Sequence, residues 1–372
     1  MLQNKPVLIV AQTGRALATS AAKAGIAAYV LDRFSDQDTC EIAAGVRTVA
    51  GCSSSFNIKQ LRSVLSDFID LPLYGVIAGS GLESDPEVLN WISKHWPLIG
   101  NSTEVIKRCK DPLLFFPLLD ELGIPHPEIR FDSSIKNDNW LIKQSGGAGG
   151  EHISIAGNNG KLSENCYLQK KLDGRNLSVV FIADGKETTI IGLSETYTVD
   201  PEHGNYTYSG AVSLHETDIN LFDVITDLTC RLVSALQVKG LCGIDFIVDN
   251  TGMCYVLEVN PRPTATFELH EHSDSLLQAH IMACRGELIP EYNKIPGYRG
   301  HKIIYADTDL SIPDITWPVW TSDRPIPGKI IQSGSPVCTI QAKGEDADSV
   351  KALLLFRVRL MQEIIEQYRL AA

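Results

Sequence analysis

The sequence predicts a multidomain protein of mixed α/β and α+β class: an open parallel sheet at the N-terminus, a larger core of antiparallel strands and helices, and a small C-terminal unit. Three observations point there. The chain of 372 residues exceeds the size at which one hydrophobic core stops growing. Its opening reads as strand, loop, helix and strand. Its middle carries short strands set apart by Gly- and Asn-rich turns, the pattern of antiparallel pairing.

VLIV (Val7 to Val10), AQTGRALATSAAKAG and AAYVLD give the βαβ opening, with the helix stopping at Gly25. Gly14 stands alone in the first turn, so the GxGxxG dinucleotide fingerprint is missing and NAD binding is not predicted. YGVIAGSG (Tyr74 to Gly81) and EVLNWISKHW extend the parallel sheet to about residue 103. After the capping cluster NST, EVIKRC is helical; Asp111 as cap, Pro112 in the first turn and Gly123 as stop then define a second helix despite Pro117. WLIKQ, HISIA, CYLQKKL and LSVVFIA read as strands, Phe222 to Val238 as a helix, and Cys242 to Pro263 as a hairpin. Beyond Pro290, Pro- and Gly-rich turns precede KIIQ, PVCTIQA and an amphipathic helix from Asp348.

Hydrophobic content of 44%, charged content of 21% and a mean hydropathy near zero are those of a folded globular protein. A net charge of -12 argues against a general nucleic-acid or anionic-membrane surface, so an anionic ligand needs a local cationic pocket. Nine scattered cysteines without a CxxC pair fit free thiols in a reducing cytoplasm. The apolar run after LQNK is too short for a signal sequence or a membrane span, and a cytoplasmic location is expected.

The hairpin CGIDFIVDNTGMCYVLEVNPRP places acids where apolar residues are usual. With DNTG as the turn and Val248 opposite Met253, Asp245, Ile247, Cys254, Val256, Glu258 and Asn260 share one face. Asp245 is then diagonal to Glu258, and two such carboxylates repel unless a cation joins them. A hard divalent ion such as Mg²⁺ takes oxygen ligands and commonly shares them with phosphates. A half-exposed hairpin with a polar solvent face explains any one of these residues alone; the combination, closed by two prolines around Arg262, favours a metal site.

WLIKQSGGAGGEHISIA sets Lys143 near the end of a strand and follows it with Gly146, Gly147, Gly149 and Gly150. Such a loop lets backbone N–H groups approach a polyphosphate, and a strand lysine is costly to bury unless an anion meets it. A flexible hairpin connection is the plainer alternative. The GK[ST] ending of a P-loop is absent.

Taken together, these motifs resemble the ATP-grasp superfamily of carboxylate ligases. The resemblance implies a pre-ATP-grasp domain over 1–103, an ATP-grasp domain over 104–289 in two α+β subdomains (104–170 and 171–289), and an accessory unit over 290–372. Glu258, Asn260 and Arg262 match the closing E-x-N-x-R motif and Asp245 the acid on the preceding strand, which implies Mg²⁺, with Mn²⁺ as an alternative ion, on Asp245, Glu258 and Asn260. Lys143 is similar to the lysine that contacts ATP phosphate ahead of the glycine loop. Gln169, Lys170, Lys171 and Leu172 would form the adenine hinge, and Asn176 falls where an acid commonly binds the ribose. Pro112 occupies the place of the first ATP lysine; Lys110 or Lys107 is the substitute, Lys110 standing just ahead of the helix. The first turn, the segment Asp32 to Asp38 and RPIPGKIIQSGSPVCTIQA are similar to biotin-carboxylase-related carboligases, some of which accompany methanofuran or tetrahydromethanopterin C1 metabolism.

The resemblance implies attack of a substrate carboxylate on the γ-phosphate of ATP and aminolysis of the acyl phosphate, with Lys143 and Arg262 as catalytic groups and small-molecule carboxylate and amine as substrates. Homodimers are common among relatives. Two rivals stand beside it: a carboxyphosphate-forming carboxylase component, and a nucleotide-binding regulatory protein without turnover. Arg175, Tyr197, Tyr206, Tyr208 and His215 lie in a polar segment where a second substrate would bind.

Overall fold

A computed structural model describes residues 5–52, 55–132, 137–157, 162–215, 221–292 and 296–371, with side chains described up to residue 367. Val7–Val10 is fully buried because it is the central strand of a parallel sheet ordered Gly45–Thr48, Ala28–Asp32, Val7–Val10, Gly75–Ala78, Leu98–Ile99. Helices on both faces of such a sheet call for apolar residues on both sides of every strand. The strand order reverses at Val7–Val10, so the loops leaving Val10 and Ala78 diverge and open a crevice at the strands' carboxyl ends.

The expected helices are present at Thr103–Lys110 and Pro112–Glu121, the first capped by Ser102 and the second by Asp111. A four-stranded antiparallel sheet follows, ordered Ile153–Ile155, Trp140–Gln144, Cys166–Lys170, Ile129–Arg130. The main sheet has eight antiparallel strands, from the acidic hairpin (Cys254–Asn260, Lys239–Asp249) through Gly174–Asp184, Thr188–Asp200 and Asn205–Leu214 to Tyr298–Tyr305, Pro336–Gly344 and Thr321–Ser322. Two of these strands, Thr188–Asp200 and Asn205–Leu214, lie in the stretch that reads as a polar segment in the sequence, and their stretches 196–198 and 206–208 face a cleft rather than the apolar core.

The segment expected as a C-terminal accessory unit extends this same sheet and closes over it with the helix Ala347–Ala371. It also folds back onto the N-terminal sheet domain. The Asp38 carboxylate accepts the backbone N–H groups of Asp323 at 2.8 Å and Arg324 at 3.0 Å, the Gln37 N–H donates to the Arg324 carbonyl at 2.7 Å, and Lys329 donates to the Phe34 carbonyl at 2.7 Å. Among the described residues no helix is long and apolar enough to cross a membrane.

This junction gathers acids. Burial, then the nearby Asp323 charge, pushes the Asp36 carboxyl up to about 8, with Lys329 acting against them. A folded chain that keeps this proton while the unfolded chain loses it near pH 4 loses stability as pH rises from about 4 to about 8. Asp36→Asn is therefore expected to raise the melting temperature by an amount that grows from pH 5 to pH 8 and then levels off. A gain that does not change with pH would show that Asp36 is ionised throughout.

Candidate active site

The acidic hairpin pairs Val248 with Cys254, Ile247 with Tyr255 and Phe246 with Val256, then shifts register so that Asp245 faces Glu258 and Gly243 faces Asn260. The expected pairing of Val248 with Met253 is off by one, because the Asp249 carboxylate collects the N–H groups of Thr251 and Met253 and widens the turn. A one-residue slip alone would send Asp245 and Glu258 to opposite faces. The bulge at Leu257 inserts one residue and restores them to the same side. Asp245 and Glu258 are thus directly opposed rather than diagonal, and Cys254 and Val256 belong to the apolar core with Phe246, not beside the acids.

Asn260 Nδ2 donates to Asp245 Oδ2 at 2.9 Å, and Lys110 Nζ donates to Glu258 Oε2 at 3.1 Å and to Asn260 Oδ1 at 2.9 Å. Burial and then the Glu258 charge raise the Asp245 carboxyl, whereas Glu258, against the cost of its own burial, is held low by Lys110, Lys143 and His152. Two carboxylates and an amide oxygen form the all-oxygen donor set a hard cation requires. The Lys110 ammonium bridges two of the three, Glu258 and Asn260. Lys110 ends its helix pointing inward; Lys107, on the same helix, is exposed and lines no part of the cleft.

Lys143 is buried, among the described residues with only Gln169 Oε1, at 3.3 Å, as hydrogen-bond partner, and burial lowers its pKa against the pull of Glu258 and Asp245. Such a cation awaits an anion. The glycine loop beyond it wraps a small cavity walled by Lys110, Lys143, Gly146, Gly147, His152 and Glu258. Gly147 leaves room for the His152 ring, which a Cβ would overlap. The loop is tied to the main sheet where the Tyr208 N–H donates to the Gly149 carbonyl at 2.9 Å. Arg262 is paired with Glu83, a buried acid from the loop after Gly75–Ala78 whose other oxygen accepts the Gly81 N–H at 2.8 Å.

The acids, Lys143, His152 and Arg262 line one cleft of about 650 Å³, with the small cavity around Lys110, Gly146 and Gly147 beside it. At one end are Gln169, Lys170, Leu172 and Asn176; in the middle are Lys143, Asp245, Glu258, Asn260 and Arg262; at the other end the N-terminal loop meets Glu268, His301 and Asp323. Residues 109–266 match the ATP-grasp domain family. That segment of the chain carries an ATP-grasp domain. The carbamoyl phosphate synthase large chain of Thermoanaerobacter pseudethanolicus is 31% identical over 192 residues, a match that covers 45% of this chain and 18% of that protein. The structure resembles biotin carboxylase from Campylobacter jejuni (TM-score 0.68, 15% identity, 93% of this chain and 89% of that one). It also resembles L-amino acid ligase from Bacillus licheniformis (TM-score 0.67, 14% identity, 94% and 96%). At such identities the likeness is one of fold.

Around this cleft and the small cavity beside it the structure brings together the expected nucleotide, phosphate and metal residues except Lys107, while Arg175 and His215, expected near a second substrate, line neither. It adds Glu83 and His152, which no local pattern marks, since their partners lie far away in the chain or across the loop. Gly150 has a φ of +84°, and a Cβ there would overlap the Tyr206 carbonyl oxygen; Gly149, at φ +71°, faces open space. Gly149→Ala should cost only the intrinsic strain of about 1–2 kcal/mol. Gly150→Ala should in addition detach the loop from the sheet, giving several-fold faster proteinase K cleavage within 144–152. Equal cleavage of the two variants would mean that the loop does not rest on Tyr206.

Proposed function

We propose that the protein is an ATP-dependent carboxylate–amine ligase that forms an acyl phosphate and releases ADP and phosphate. The observation that carries this reading is the convergence of Asp245, Glu258 and Asn260 with Lys110, Lys143 and Arg262 around one cleft and the small cavity that adjoins it. The adenine would lie against the Gln169–Leu172 hinge, with the Lys170 and Leu172 backbone reading the base edge and Asn176 facing the ribose. Lys143 and Lys110 would neutralise phosphate oxygens, Lys110 leaving the acids as it does so. Mg²⁺ held by Asp245, Glu258 and Asn260 would offset the negative charge of the polyphosphate. Arg262, its position fixed by Glu83, would hold the substrate carboxylate through its two outer nitrogens, and the glycine loop would keep water from the acyl phosphate. Phosphoryl transfer of this kind needs positioning and charge neutralisation more than covalent help.

The fold likeness to biotin carboxylase supports a second reading, a component that makes carboxyphosphate from bicarbonate. It would need a biotin acceptor elsewhere, as the chain has no A-M-K-M stretch. ADP release measured with Mg-ATP across panels of carboxylates, with and without amines, separates the two. The ligase reading predicts amine-dependent product and losses of about 10²-fold or more in Glu258→Gln and Arg262→Ala. Stimulation by bicarbonate alone would favour the carboxylase, and nucleotide binding without turnover would favour a regulatory protein.

A further inference from the structure

The far end of the cleft is built by all three parts of the chain, from residues other than those to which the proposed function gives ATP. Arg15, from the first loop of the N-terminal sheet, donates to Asp323 and to Glu268, each at 2.8 Å, and Glu268 Oε1 lies 3.5 Å from His301 Nδ1. Thr13 Oγ1 reaches Asp323 at 3.4 Å, and Arg33 donates to Gln12 Oε1 at 3.2 Å. One guanidinium thus faces two carboxylates whose side chains are only 17% and 19% exposed. One negative charge is left over. His301 does not offset it, because burial holds the imidazole neutral against the pull of Glu268. A buried surplus charge is costly unless a ligand of opposite sign completes the set.

Donors are left over nearby. Gln12 is 8% exposed and lines the cleft, and among the described residues its Nε2 has no hydrogen-bond partner; nor, there, does Nδ1 of His301, a residue 2% exposed. Arg33 also lines the cleft, where it feels the Glu151 carboxylate and where its side chain hydrogen-bonds to Gln12. Asp323 itself sits in the left-handed region at φ +53°, where its N–H and that of Arg324 are held by Asp38. Backbone strain of this sort persists only where surrounding contacts impose it and is concentrated at functional sites.

We propose that this end of the cleft binds the amine substrate, and that this substrate is a zwitterion of the amino-acid class, its ammonium held between Glu268 and Asp323 and its carboxylate by Gln12 and Arg33. The ammonium completes the charge balance that Arg15 leaves open, and the carboxylate supplies the acceptor that Gln12 Nε2 lacks. The C-terminal segment then has a function beyond extending the sheet: it delivers Asp323 to the cleft. This inference rests on the ligase reading, with Arg262 reserved for the carboxylate that is phosphorylated.

Calorimetric titration of the full chain, saturated with Mg-ADP, against the twenty common L-amino acids, n-butylamine and butyrate tests it. At least one amino acid should bind saturably and more tightly than either single-charge probe. Asp323→Asn and Glu268→Gln should each weaken that binding at least about tenfold, the loss expected for one charged hydrogen bond. Each variant leaves Arg15 paired with one acid, so both should keep the wild-type affinity for Mg-ADP, which also reports folding. The proposal is overturned if Mg-ADP binds but no amino acid does, if butyrate binds as well as the best amino acid, or if both variants bind it like wild type. Failure of Mg-ADP to bind the wild-type protein would instead take down the ligase reading and this inference with it.

Discussion

The structure turns on two carboxylates, Asp245 and Glu258, set side by side on adjacent strands within a largely buried cleft. Like charges about 4 Å apart cost on the order of 4 kcal/mol at the effective dielectric of a protein surface, and more when solvent is excluded. Within the hairpin the Asn260 amide relieves part of that cost; from outside it come the Lys110 ammonium, at the end of the helix Thr103–Lys110, and the more distant charge of Lys143. The acid pair therefore depends on nearby positive charge by construction, and the Lys110 ammonium supplies it at hydrogen-bonding distance from Glu258.

That dependence reaches into the rest of the fold. Lys110 must end one helix just before Asp111 caps the next, Lys143 must project from the strand before the glycine loop, and Arg262 must leave the hairpin between two prolines. The N-terminal sheet supplies Glu83 and Arg15 from the two loops that diverge at its topological switch point. The C-terminal segment, held by Asp38, supplies Asp323. Each part of the chain that reads as a separate unit thus contributes a charge to one cleft, and the balance among those charges holds the parts in register.

Much of this was legible in the sequence, and the reasons are specific. The parallel sheet was readable because VLIV is apolar on both faces, and the helix at Pro112 because cap, first-turn proline and stopping glycine all agree. The acids were assigned to one face from a pairing that proved one residue off; the Leu257 bulge brought them back together, so the conclusion held although the register did not. A bulge leaves no signature in a run such as YVLEVN. Thr188–Asp200 and Asn205–Leu214 were missed because cleft-lining strands lose the apolar alternation by which strands are recognised. Glu83, Glu268 and Asp323 were invisible for another reason: a lone acid acquires meaning only from a partner far along the chain, as Glu83 does from Arg262.

The most direct test of the central claim is a crystal structure of the protein with Mg²⁺ and ADP. The account predicts the metal on carboxylate oxygens of Asp245 and Glu258 at about 2.0–2.1 Å, with Lys110 Nζ moved off both Glu258 and Asn260 toward the phosphates. A structure in which nucleotide and metal are bound while Lys110 still bridges Glu258 and Asn260, with the metal held elsewhere, would contradict it.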